Sequence, residues 1–256
     1  MKPTPNIIQR NFAVASRLRG RHRNRALATA FMTALAPAAI SLSQAAQLTW
    51  SGGGVDANWS TGTNWAGTAP TGSSDSLIFA GNTNLITNND ITGLTLVAGT
   101  SPTSAIAFTN TSNVTGGAFT LGGNAITLGG SITTTAVTTG TLVDTISLQL
   151  NLIAGRTITT ATNHGLIISG LINDTSGTNS AGITKSGGAT LQLSNDSNNF
   201  TALSIQQGTL SATSIAASGT ASAIGRGNTI TMGNTTTEGI LNFIGTNVSM
   251  ASPNRT

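Results

Sequence analysis

From Leu77 onward the chain repeats one short theme, and no other feature limits its fold as tightly. Two or three apolar residues alternate with Thr, Ser, Asn or Gln: Leu94-Thr95-Leu96, Ile106-Ala107-Phe108, Phe119-Thr120-Leu121, Ile126-Thr127-Leu128 and Ile146-Ser147-Leu148-Gln149-Leu150. The theme returns at Leu191-Gln192-Leu193, Leu203-Ser204-Ile205, Ile230-Thr231-Met232 and Leu241-Asn242-Phe243. A period of two puts apolar side chains on one face of a strand and polar ones on the other. Between these runs stand Gly-Gly, Gly-Asn, Asn-Asn, Asn-Asp and Ser-Gly pairs, which are turn chemistry. No 12-residue window after residue 46 sustains a 3.6-residue apolar period, so the body is all-β.

Composition narrows the choice among all-β folds. The 256 residues include 45 Thr, 31 Gly, 26 Ser and 24 Asn, about half the chain, and only 7% are charged. Thr favours strands, and Gly, Asn and Ser favour turns, so an α-helical bundle is excluded. Sandwiches and up-and-down barrels use longer strands and larger aromatic core residues than these. A β-solenoid needs only a narrow core of Leu, Ile, Val and small residues, stacked coil on coil. The expectation is a parallel β-helix of about nine coils, each of roughly 20–25 residues. Thr and Asn on neighbouring coils would stack into ladders. The chain has no cysteine, so core burial and backbone hydrogen bonds must hold it together.

The net charge of +4 divides unevenly along the chain. Lys2, Arg10, Arg17, Arg19, Arg21, Arg23 and Arg25 precede an Ala-rich apolar run of 17 residues, Ala26 to Leu42. Ser43-Gln44-Ala45 then supplies the small residues of a cleavage site. Basic flank, short apolar run and small-x-small exit read as a secretory signal peptide over residues 1–45. Without an adjacent Arg-Arg pair, the general secretion route is expected rather than the twin-arginine route. The run is too short and too Ala-rich, and broken by Pro37, for a membrane anchor. Beyond residue 45 four basic residues (Arg156, Lys185, Arg226, Arg255) face seven acidic ones, a net −3. Nucleic-acid binding needs a basic stripe, and the body has none.

Residues that could carry chemistry are few. Asp56, Asp75, Asp90, Asp144, Asp174, Asp196 and Glu238 are widely separated and read as turn and solvating residues. His164, the body's only histidine, reads as a surface-turn residue, and no Gly-x-Ser-x-Gly elbow offers it a nucleophile. Ser51-Gly52-Gly53-Gly54-Val55-Asp56 approaches a calcium-binding nonapeptide, but Asn58 takes an apolar position and no second copy follows. Gly225-Arg226-Gly227 lacks the strand–helix context of a phosphate loop. No catalytic residue, cofactor site or metal site is assigned. Trp50, Trp59 and Trp65 are the body's only tryptophans: buried they would seal a solenoid end, exposed they would form a glycan platform.

One segment carries a resemblance. Residues 182–212 run from Gly182-Ile183-Thr184-Lys185 through Gly187, Thr190-Leu191, Leu193-Ser194, Phe200, Leu203 and Ile205 to Gly208-Thr209-Leu210. This resembles the autotransporter-associated β-strand repeat, with Ala189, Asn195 and Ala202 where that family favours Gly. Trp50-Ser51-Gly52, Asn58-Trp59, Asn64-Trp65 and Leu77-Ile78-Phe79-Ala80-Gly81 are similar to the start of such proteins, and Ser222–Phe243 to the segment after a repeat. The resemblance implies a right-handed parallel β-helix passenger: exported, non-enzymatic, structural or adhesive, at the cell surface or released. Cell-surface glycans or other cells are the partners such a role would engage. The membrane is touched only through the signal peptide or an anchor outside this chain. The domain expectation is a signal peptide (1–45), an amino-terminal cap region with the Trp cluster (46–90) and β-helix repeats (91–256). The chain stops mid-pattern at Ser252-Pro253-Asn254-Arg255-Thr256, which reads as truncation. The competing expectations are a polysaccharide-active β-helix enzyme, which needs three or more charged side chains converging on one face, and a glycan-binding module.

Overall fold

The computed structural model describes residues 46–246; the expected signal peptide and the last ten residues lie outside the described residues. Nineteen short strands, all paired in parallel, wind into three ladders. The first stacks β1 (Gln47–Trp50), β2 (Ser73–Phe79), β5 (Ile106–Phe108), β8 (Ile132–Thr134), β11 (Arg156–Thr159), β14 (Gly182–Ser186), β16 (Ala202–Ile205) and β18 (Ile230–Met232). The second stacks β3 (Ile86–Asn89), β6 (Thr120–Gly123), β9 (Leu142–Ile146), β12 (His164–Ile168), β15 (Thr190–Leu193), β17 (Gly208–Ala212) and β19 (Gly239–Phe243). The third leaves the start of β2 and runs through β4 (Thr95–Leu96), β7 (Ile126–Leu128), β10 (Leu150–Leu152) and β13 (Ile172–Asp174). The chain visits the ladders in rotation, which makes the body a parallel β-solenoid, the expected fold.

Register shows why these sequences close into coils. Leu77, Ile106, Ile132 and Ile158 stand on one another in the first ladder, and Leu166, Leu191, Leu210 and Leu241 in the second. Each strand sends alternate side chains inward, and the inward columns of Leu and Ile form one continuous core. Each fully buried Leu or Ile contributes about 1.5–3 kcal/mol. The five apolar residues of the repeat, Leu191, Leu193, Leu203, Ile205 and Leu210, are all buried, while Gln192, Ser204 and Gln206 stay partly exposed on the outer face.

Two expectations hold only in part. Some coils match the expected 20–25 residues, with register steps of 22 from Leu142 to His164 and 25 from Leu166 to Leu191, but others run from 19 (Leu191 to Leu210) to 26 (Ile106 to Ile132) and 31 (Leu210 to Leu241). The first ladder holds eight strands among the described residues, against about nine coils expected for the whole body. Met232, in the last described coil, is about half exposed rather than inward.

The expected asparagine ladder is present. Asn199 donates to Asn173 Oδ1 (2.7 Å), and Asn173 Nδ2 lies 3.4 Å from Asn151 Oδ1 one coil further back. The third ladder ends at β13, and Asn198 and Asn199 close its open edge. Asn198 Oδ1 takes the Ile172 N–H (2.8 Å), Asn199 N–H donates to Ile172 O (3.1 Å), and Asn199 Oδ1 takes the Asp174 N–H (2.6 Å). Side-chain amides here replace a missing strand, because buried backbone groups need partners.

Candidate functional site

Buried polar and aromatic side chains are the places where a solenoid core could do chemistry or bind, and three features stand out. Lys185 follows Ile183 in the period-two pattern of β14, so strand geometry alone turns it inward. Its register neighbours are Ile158 below and Ile205 above, and it is fully buried. The ammonium donates to Ser186 O (2.9 Å), Gly187 O (2.6 Å) and Gln207 O (2.8 Å). Three acceptors match the three N–H groups of an ammonium. Burial pulls its pKa down from 10.5 to about 8. Gly187 makes this reach possible: it has φ +77°, and a Cβ there would stand 2.3 Å from Thr160 O.

His164 and Asp144 form the second feature. Asn163, in a left-handed turn (φ 61°), delivers His164 to the first position of β12, where it is fully buried. Nε2 lies 2.6 Å from Asp144 Oδ2, and Nδ1 lies 2.6 Å from Thr135 O. A carbonyl only accepts, so Nδ1 is the donor to Thr135. The other carboxylate oxygen, Asp144 Oδ1, takes the Phe119 N–H at 2.7 Å. This corrects two expectations: His164 is a core residue rather than a surface-turn residue, and Asp144 is a buried, paired carboxylate rather than a solvating one. The arrangement has the base and orienting acid of a catalytic triad, but both ring nitrogens are already engaged, so no hydroxyl can give its proton to this imidazole. The pair joins β9 to β12 and anchors the start of β6.

The tryptophans are the third feature. Trp50, Trp59 and Trp65 are all buried. Trp65 meets Trp50 and Trp59 edge-on, at centroid distances of 4.9 and 6.0 Å, and all three contact Phe79. The Phe79 ring in turn contacts Phe108 and Phe119. Each indole N–H has an acceptor: Thr83 O, Thr87 Oγ1 and Trp59 O. Buried in this way, the three rings offer no aromatic platform to a glycan.

The remaining acidic residues organise turns. Asp56 accepts from Asn58 N (3.0 Å), Asn58 Nδ2, Thr61 Oγ1 and Asn64 Nδ2, so the nonapeptide-like stretch is a self-contained turn. The Asn58 N–H, followed by the Thr61 hydroxyl, holds the Asp56 carboxyl below its ordinary pKa. Asp75, expected to be solvated, is buried beneath Thr71, whose N–H and hydroxyl it accepts. Asp90 binds the N–H and hydroxyl of Ser60, and Asp196 the hydroxyls of Thr213 and Ser214. Burial raises the Asp174 pKa, but bonds from Ser176 and the Ala181 N–H, with nearby Arg226, outweigh it and bring it below the usual value. Arg226 itself donates to Asn199 O and Asn179 Oδ1, so Gly225-Arg226-Gly227 is a structural corner. Among the described residues no three His, Asp or Glu side chains come together as a metal centre would require.

No protein-family description, curated protein or solved structure matches this chain.

Proposed function

We propose that the chain is an exported, non-enzymatic structural or adhesive protein: a secreted or surface-displayed β-solenoid of the autotransporter-passenger type, acting as a stalk or scaffold. The observation that carries this reading is how the repeat at 182–212 spends its distinctive residues. Lys185 ties three backbone carbonyls, Gly187 permits the close approach of Thr160, and Asn198 donates to Ala223 O one coil away. Phe200 lies fully buried in the core. The groups best suited to acid–base work, His164, Asp144 and Lys185, are sealed inside and fully hydrogen-bonded. A sequence that invests its reactive groups in coil-to-coil bonds suits a rod better than an enzyme. The leader of residues 1–45 gives the rod its route out of the cell.

Expression of the chain from its own leader in a bacterial host tests the reading. Material recovered outside the cytoplasm should begin at Ala46, with cleavage one residue later as the second site. Chain that stays in the cytoplasm and still begins near Met1 would overturn the export part of the reading.

A further inference from the structure

We propose that the outer face of the first ladder, at coils β11, β14 and β16, is a binding groove for a neutral, polyhydroxylated chain, an oligosaccharide. Along this face three successive outward positions carry little or no side chain. Gly182 and Ala202 are register partners, and Gly155 lies beside Gly182, whose carbonyl oxygen stands 3.8 Å from where a Gly155 side chain would begin. The result is a trough of about 440 Å³ that runs across the coils. That volume is in the range of sites that take small organic ligands.

The walls have distinct origins. On one side Thr184, Ser204 and Thr231 stand in register on β14, β16 and β18, one hydroxyl per coil. Neighbouring strands lie about 4.8 Å apart, so the hydroxyls repeat at that spacing. Among the described residues none of these three hydroxyls has a hydrogen-bond partner, so all three are open to a ligand. On the other side the coil departs from its usual plan. Residues 213–229 contain no strand, and their last residues, Asn228 and Thr229, rise beside Thr201 to close the groove.

The lining decides the ligand class. It contains no charged side chain, so an ionic ligand would lose its hydration without a counter-charge. A hydroxyl donates one hydrogen bond and accepts two, which is what sugar hydroxyls do in return. A peptide strand is the poorer fit. It would need free backbone N–H and C=O groups, and β14 and β16 have theirs engaged in ladders on both sides. The site is distinct from the tryptophans, and its geometry does not depend on export.

Calorimetric titration of the full chain with neutral gluco-, manno- and N-acetylglucosamine hexasaccharides, alongside hexagalacturonate, tests the proposal. At least one neutral hexasaccharide should bind, and hexagalacturonate should bind more weakly. Ala202→Phe fills the trough from an outward position and should weaken binding at least about tenfold. Thr184→Val with Ser204→Ala removes two wall hydroxyls without filling space and should do the same; it decides the matter if Ala202→Phe does not fold. Gln192→Phe, on the second ladder, should bind as the parent does. The proposal falls if no neutral hexasaccharide binds up to about 10 mM, if hexagalacturonate alone binds, or if folded trough variants keep the parent's affinity.

Discussion

Lys185 offers a test that few proteins allow. It is the only lysine after residue 45, and the chain has no tyrosine and no cysteine. No other residue type after residue 45 has an ordinary side-chain pKa between about 8 and 10.5. Burial lowers the Lys185 pKa to about 8, whereas in the unfolded chain it returns to its ordinary 10.5. Below pH 8 both states are protonated, and the folded state carries the cost of a buried charge. As pH rises through 8 the folded state gives up its proton first, so the unfolded state then binds more protons. Stability must therefore rise with pH across this window. Each pKa unit corresponds to about 1.4 kcal/mol, so the full gain is at most about 3 kcal/mol, complete near pH 10.5. It is an upper bound, because a neutral amine has two donors for three carbonyls and one of the bonds at Ser186, Gly187 or Gln207 is lost.

Urea unfolding followed by circular dichroism, at pH values from 7 to 10.5, measures this directly. Lys185→Met is the companion: it keeps the length of the side chain, removes the titration, and should flatten the profile. It should also cost stability at pH 7. Ser186 O retains the Thr160 N–H, but Gly187 O and Gln207 O lose the ammonium, at about 1–3 kcal/mol for each group left unsatisfied. Relief of the buried charge offsets part of that loss. A parent profile that is flat or falling from pH 8 to 10.5, or one that Lys185→Met reproduces, would refute the reasoning.

Three further outcomes follow from the same geometry. Leu191→Asn buries an amide in a fully apolar column and should cost about 3 kcal/mol or more, whereas Gln192→Asn on the outer face of the same strand should cost under about 1 kcal/mol; equal losses in urea titrations would show that the strand is not packed as described. Asp144→Ala strips acceptors from His164 Nε2 and the Phe119 N–H together, so thermal unfolding should report a loss of about 3–5 kcal/mol, and a loss under about 1 kcal/mol would contradict the buried pair. The body, with net charge −3 after residue 45, should pass through heparin resin at about 150 mM salt, and retention there would show a basic surface that this account lacks.

Much of the fold was legible because the strand period is short. Leu191-Gln192-Leu193 and Leu203-Ser204-Ile205 declare their inward faces within three residues, and both fold as read. The same pattern misleads where a coil turns a corner without breaking alternation. Ile146 to Leu150 reads as one strand, yet it ends β9 and begins β10, with Ser147, Leu148 and Gln149 forming the corner. The spread of coil lengths was hidden for a related reason: residues 213–229 lengthen their coil without adding a strand, and nothing in a Ser- and Ala-rich stretch marks how far it will run.

The interior polar groups were missed because of where their partners lie. His164 sits between Asn163 and Gly165, which locally is turn chemistry, and its acidic partner is 20 residues earlier. Lys185 finds Gln207 O 22 residues later, and Asn198 finds Ala223 O 25 residues later. These separations cluster near one coil length, because in a stacked coil a buried group's nearest non-local neighbours sit directly above and below it. A polar residue at an inward position of such a repeat must therefore be satisfied one coil away or turn outward. Had the 22-residue step from Leu142 to His164 been known, Asp144, two residues after Leu142, would have stood out as the carboxylate within reach of His164. Lys185, between Ile158 and Ile205, would have stood out as a cation in need of carbonyls. In a solenoid the register is the information that converts isolated polar residues into pairs, and strand alternation alone does not contain it.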